Sequence, residues 1–162
     1  MKEKYHIYLQ SLAYFILATL IVALSTLLLH EAGHAAFGLF YNCSEIRVIA
    51  FDSISAYPYT EMTCENVSML AIGLSSFIFV LPFLIFTFLM PRIPERFLPV
   101  MMLGFNTMIS AWDLQTYLND KLFFPIFFIG TIILLAGEVL FMEEEGFFIK
   151  HAIRRKGENI YD

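Results

Sequence analysis

His30-Glu31-Ala32-Gly33-His34 lies deep inside a run that, from Ile7 to Tyr41, holds no lysine, arginine or aspartate and no acid besides Glu31. On a helix, residues four apart share a face, so His30 and His34 present two imidazoles to a single tetrahedral zinc. Glu31 then stands beside the metal, where it takes a proton from zinc-activated water and returns it to a leaving amine. That is metal-assisted hydrolysis, still one ligand short. A third protein ligand has to come from elsewhere, leaving the fourth position to water. The bland alternative is a pair of helix histidines satisfied by hydrogen bonds. The surroundings weigh against it, because ionisable side chains at bilayer depth cost roughly 2.5–3.5 kcal/mol each even on lenient scales. Three of them within five positions need a neutralising partner, and a zinc ion serves.

Working outward, the 162 residues amount to one domain, and 59% are hydrophobic against 15% charged, with a mean hydropathy of +0.70. No ordinary soluble domain has that balance. The chain reads as an integral membrane protein. Its net charge of −5 says little about partners, since the acids sit mostly in loops and tail, and no nucleic-acid partner is expected. The start, Met1–Gln10, is basic, but the apolar run behind it is too long for a signal peptide and has no cleavage site, so it is read as a retained span. No internal repeat or low-complexity linker divides the chain.

The expected fold is all-α and membrane-integral, with about four transmembrane helices over 11–40, 67–90, 97–119 and 122–142. A small β-hairpin-like insertion, 42–66, falls between the first and second, and a polar tail occupies 143–162. Within the insertion, Glu45–Phe51 and Ala56–Met62 alternate enough to pair as a hairpin. In the second span Gly73 and Ser75-Ser76 suit close helix contact, and Pro82 predicts a kink. The tail, with Lys150, Arg154, Arg155 and Lys156, is expected to form a short amphipathic helix on the membrane surface.

Depth selects the third ligand. Besides the first-span trio, the spans hold two ionisable residues, Asp113 and Glu138. His34 and Asp113 each lie about six residues before the end of their spans, roughly 9–10 Å below the following loops. Spans one and three run the same way, so the two share a leaflet. Glu138 lies near the opposite face, where it snorkels to the interface. Asp113 is therefore the expected ligand. Asn106, two helical turns before Asp113 on the same face, is expected either to hold a substrate carbonyl, to orient the carboxylate, or to act as interhelical glue.

Taken together, these residues resemble the site-2 protease family of intramembrane zinc metalloproteases. The resemblance covers roughly residues 20–118: the H-E-x-x-H within a transmembrane helix, the insertion after it, the small-residue stretch Ala71-Ile72-Gly73, and a later helix with an Asn followed by an Asp. The family pattern there is similar to N-x-x-P…D-G. Here Asn106-Thr107-Met108-Ile109 and Asp113-Leu114 lack the Pro and the Gly, at a spacing one shorter, as in a divergent or minimal member. The resemblance implies hydrolysis of peptide bonds of membrane-spanning or membrane-associated substrates, with zinc on His30, His34 and Asp113, and Glu31 as general base and acid. It also implies that the insertion offers a strand edge to an unwound substrate, whose freed backbone groups strand addition would satisfy.

Lysine and arginine counts give an orientation. Lys2, Lys4, Arg92, Arg96, Lys150, Arg154, Arg155 and Lys156 fall on one side, Arg47 and Lys121 on the other. Eight against two places both termini in the cytoplasm and the zinc site toward the outer face. The resemblance implies a site nearer the cytosol; the charge rule is the expectation kept. Cys43 and Cys64 flank the insertion, as a disulfide at its base if that segment meets an oxidising compartment, or as free thiols if it does not. Two other functions compete with proteolysis. One is a catalytically inert relative that binds membrane segments or partner proteins; the other is a small transport or proton-relay subunit, against which four spans without a repeat argue. An inert binder has no physical need for a base beside the metal, and Glu31 is there.

Overall fold

Helix α1 (Lys2–Phe40) is 39 residues long, and most of its buried positions fall on one row. Ala18, Val22, Thr26, His30 and His34 recur every fourth residue and are all buried, with Gly38 continuing the line. Leu17, Leu24 and Leu28 on the other faces are 56%, 61% and 60% exposed. A four-residue ridge of this kind seats a helix in the groove of its neighbours. Here the ridge is small or polar and the outer faces are leucine-rich, the reverse of a water-soluble helix.

The computed structural model describes residues 2–49, 58–65, 67–91, 93–117 and 120–158. After α1 come strands β1 (Ser44–Ile49) and β2 (Tyr59–Thr63), then α2 (Met69–Ser75), α3 (Phe77–Leu89) and a 3₁₀ turn, Pro94–Phe97. The chain continues through α4 (Leu98–Tyr117), a second 3₁₀ turn (Asp120–Leu122) and α5 (Phe123–Glu158). Four stretches, His6–Phe40, Leu70–Leu89, Pro94–Gln115 and Asp120–Gly146, are helical, long and apolar enough to cross a membrane.

Two expectations need correction. The second span is interrupted at Ser76, between α2 and α3, whereas Pro82 sits inside α3. Gly73, Ser75 and Ser76 are weak helix formers in close succession, and the Ser75 hydroxyl takes the Ile72 carbonyl at 2.7 Å. The tail is no separate surface helix: α5 runs unbroken for 36 residues, because nothing between Met142 and Glu158 is a proline or a helix-stopping turn. The expected hairpin is present, as strands 44–49 and 59–63; the expected ends at 50–51 and 56–57 lie outside the described residues. The strands pair antiparallel, with Arg47 opposite Glu61, Val48 opposite Thr60 and Ile49 opposite Tyr59. The register shifts between Ser44 and Arg47, where Glu45 has a φ of 56°. That is a bulge, which bends a strand and re-aims its side chains.

α4 lies centrally, packed against α1, α2, α3 and α5. Its approach to α5 depends on glycine: a Cβ on Gly104 would lie 2.4 Å from the Leu134 backbone nitrogen, and one on Gly130 would lie 2.7 Å from that of Met108. Backbones this close are characteristic of helices associating in lipid. Toward the other end, Ala18, Val22, Val80, Phe97, Met101, Met102 and Phe141 form the apolar core. Beyond it the Tyr14 hydroxyl donates to Glu95, and Arg96 pairs with Glu144 at 2.6 Å. This polar end and the histidine end are therefore opposite poles of one bundle.

Candidate metal centre

The helix geometry of α1 brings His30 and His34 onto one face, their ring centroids 4.8 Å apart and both side chains nearly inaccessible. α4 supplies Asp113 between them. Its Oδ2 is 2.8 Å from His30 Nε2 and 3.1 Å from His34 Nε2, and the two Nε2 atoms are 3.2 Å from each other. The depth argument from the sequence thus selected the carboxylate that meets the histidines. Among the described residues, this is the group of histidines and carboxylates arranged to hold a metal ion, and Glu138 is not part of it.

The opposite edges of the imidazoles fix what faces the centre. His30 Nδ1 lies 3.1 Å from Asn106 Oδ1, an oxygen that only accepts, so Nδ1 carries the proton. His34 Nδ1 lies 2.8 Å from Ser75 Oγ, whose own proton goes to Ile72, so here too Nδ1 donates. Each neutral ring then turns an unprotonated Nε2 toward Asp113. With both rings neutral, three lone-pair-bearing atoms face one another at 2.8–3.2 Å, a repulsion that a metal ion among them, or a proton on one ring's Nε2, relieves. Tetrahedral zinc with ligand distances of about 2.0–2.2 Å would separate its ligand atoms by roughly 3.3–3.6 Å, wider than the 2.8–3.2 Å found. The donor set fits a metal.

Of the roles expected for Asn106, the structure shows its side chain bonded to a histidine. Asn106 is fully buried and spends its acceptor on His30, which is the task of a residue that orients a ligand. Ser75 does the same for His34 and was not singled out by sequence as a partner. Its only signal was its place among small residues. Its position depends on Gly33, where a Cβ would stand 2.6 Å from the Ser75 carbonyl oxygen, so only glycine lets α1 approach the α2–α3 break. Behind Asn106, Ser110 donates to its carbonyl at 2.8 Å and in turn accepts from Ser76 at 3.0 Å. Replacing Ser75 by alanine leaves a buried N–H of His34 without an acceptor. Zinc affinity, measured by competition with a chromophoric chelator, is expected to fall about 10–100-fold. An unchanged affinity would mean that His34 is not held this way.

Glu31 is buried at 6% exposure, and its Oε2 accepts a hydrogen bond from Thr60 Oγ1 at 2.8 Å. Thr60, on β2, was not anticipated, since nothing in the alternation of the insertion says which residue reaches α1. Cys43 and Cys64 are joined as a disulfide at the foot of the hairpin, the first of the two states their spacing allowed. A scan against protein-family models finds no match for this chain, and searches among curated proteins and solved structures find none either.

Proposed function

We propose that this chain is an intramembrane zinc metalloprotease, hydrolysing peptide bonds of membrane-spanning or membrane-associated substrates near the outer face of the bilayer. The observation that carries the proposal is the convergence of His30 Nε2, His34 Nε2 and Asp113 Oδ2 with Glu31 next in the chain, inside a bundle whose outer surface is apolar. Two nitrogens and one carboxylate oxygen, with a position left for water, suit catalytic zinc better than calcium or magnesium, which prefer oxygen. Zinc, when bound there by His30, His34 and Asp113, supplies a Lewis acid that acidifies water and polarises a carbonyl.

The remaining chemistry falls to the chain. Glu31 takes the proton of the attacking water and delivers it to the departing amine, so one carboxylate serves both halves of the reaction. Asn106 and Ser75 keep both imidazoles in the tautomer that leaves Nε2 free. β1 and β2 offer a sheet edge to a substrate segment that must unwind before its amides are accessible. The disulfide and the eight-to-two lysine and arginine count both favour an outward-facing hairpin, with the termini in the cytoplasm. Resemblance to the site-2 protease family supports the same reaction class. The missing Pro and Gly near Asp113 favour an inert relative, but Asn106 and Asp113 both reach His30 without them.

The test is cleavage of tagged single-span peptides with helix-breaking residues in the outer half, co-reconstituted with the protein in vesicles and read by mass spectrometry. Cuts are expected in the outer half of the peptide, to stop on zinc removal and to resume on zinc addition. If peptides with and without helix breakers all stay intact while zinc is bound, the inert binder replaces the protease.

A further inference from the structure

The hairpin touches α1 at two places, and these set which residue reaches the candidate base. Thr60 and Met62 are two apart on β2 and so share a face, while Glu61 faces the other way, opposite Arg47. Thr60 meets Glu31. Met62 and Ile46 lie over Gly38, where an added Cβ would be 3.1 Å from Met62 Sδ and 3.0 Å from Ile46 Cδ1. Glu31 and Gly38 are seven residues apart, two turns along one face of α1. A slip of one residue in β2 would turn Thr60 away and present Tyr59 or Glu61 to Glu31. The Cys43–Cys64 bond closes the foot of the hairpin, one residue beyond the Ser44–Thr63 pair, and holds that register.

We propose that Thr60 is a positioning residue for the proton-carrying step, with the hairpin serving as the arm that holds it against Glu31. This rests on the proteolytic reading above. The hydroxyl has one proton, directed at Glu31 Oε2 at 2.8 Å, with the Glu31 carbonyl 3.1 Å away. With one oxygen held, the carboxylate cannot turn freely about its last bond, and the direction of the other oxygen is fixed. Among the described residues the Thr60 hydroxyl bonds to Glu31 and not to His30, His34 or Asp113, so its contribution is to turnover and not to metal affinity. The insertion thereby acquires a second task beside offering a sheet edge: the same strand that receives a substrate sets the angle of the base.

The experiment compares wild type, Thr60→Val, Thr60→Ser and Glu31→Gln on the single-span peptides that wild type cleaves, with zinc content measured on each preparation. Valine keeps the shape and strand preference but removes the hydroxyl. Thr60→Val is expected to lower kcat about tenfold or more, as befits partial loss of acid–base catalysis. Its KM should stay within about twofold of wild type and its zinc unchanged, with Thr60→Ser restoring most of the rate. An unchanged kcat in Thr60→Val beside an inactive Glu31→Gln overturns this proposal alone. So does a loss of zinc, or a raised KM with kcat intact. If Glu31→Gln cleaves as well as wild type, the proteolytic reading fails and Thr60 has nothing to position. Should Thr60→Val not fold, Gly38→Leu pushes the hairpin from α1 without touching Thr60. Its kcat falls with zinc retained, or the proposal is overturned.

Discussion

Replacing Glu31 by glutamine is expected to leave about one zinc per chain in place while lowering peptide cleavage by about 10²–10⁴-fold, the usual contribution of a general acid–base group. Glutamine preserves the volume and still accepts a hydrogen bond from Thr60 through its amide oxygen, so the hairpin has no reason to move. What it lacks is the capacity to take up a proton. Zinc content and cleavage should therefore separate cleanly in this variant. If instead cleavage persists near the wild-type rate, the proton is carried elsewhere and the hydrolytic role of the H-E-x-x-H falls. If zinc is lost, Glu31 is a ligand and the coordination set has been misassigned.

Asp113→Ala is expected to do the opposite, emptying the site and abolishing cleavage together. Asp113 is the one contact between α4 and both Nε2 atoms, at 2.8 and 3.1 Å, and without it two neutral imidazoles remain on α1. Loss of a partner that merely orients a ligand costs about 10–100-fold in affinity, and loss of a ligand itself should exceed that. Elemental analysis of detergent-purified protein checks it: about one zinc per chain in wild type and almost none in the variant. A variant that keeps its full zinc would move the third ligand elsewhere, with Glu31, the carboxylate next to His30 in the chain, the first to try. Asp113→Asn separates charge from shape, since an amide oxygen binds zinc more weakly than a carboxylate but occupies the same place.

The sequence disclosed the parts of this arrangement that depend on helical periodicity and depth. His30 and His34 share a face because they are four apart, and Asp113 joins them because α1 and α4 run the same way, each with its ligands near the helix C-terminal end. Ser75 and Thr60 were not legible, because each depends on a close approach that no local pattern encodes. Ser75 reaches His34 only because Gly33 lacks a side chain, and the helix breaks one residue later at Ser76, where the proline rule pointed to Pro82. Thr60 reaches Glu31 only in a register fixed by a bulge and by contacts over Gly38. Asn106 was legible as a buried amide on the face of Asp113, but its bond to His30 was not. The tail misled for a different reason: its composition is that of a surface helix, whereas its backbone simply continues α5.

The separation of the ligands along the chain also has a consequence in time. His30 and His34 leave the ribosome 83 and 79 residues before Asp113, an interval of about 4–16 s at typical synthesis rates. Ser75, the latch on His34, emerges roughly midway, and Asn106 only shortly before the aspartate. For that interval the proposed first span would enter the bilayer with two imidazoles and a carboxylate uncompensated by any later helix. On the proposed reading, the full ligand set exists only once the third span has arrived, with α5 still to be made. Under the proposed function, a chain halted before Asp113 would hold the histidines and Glu31 but lack the third ligand, so the site could not form before the third span has been made.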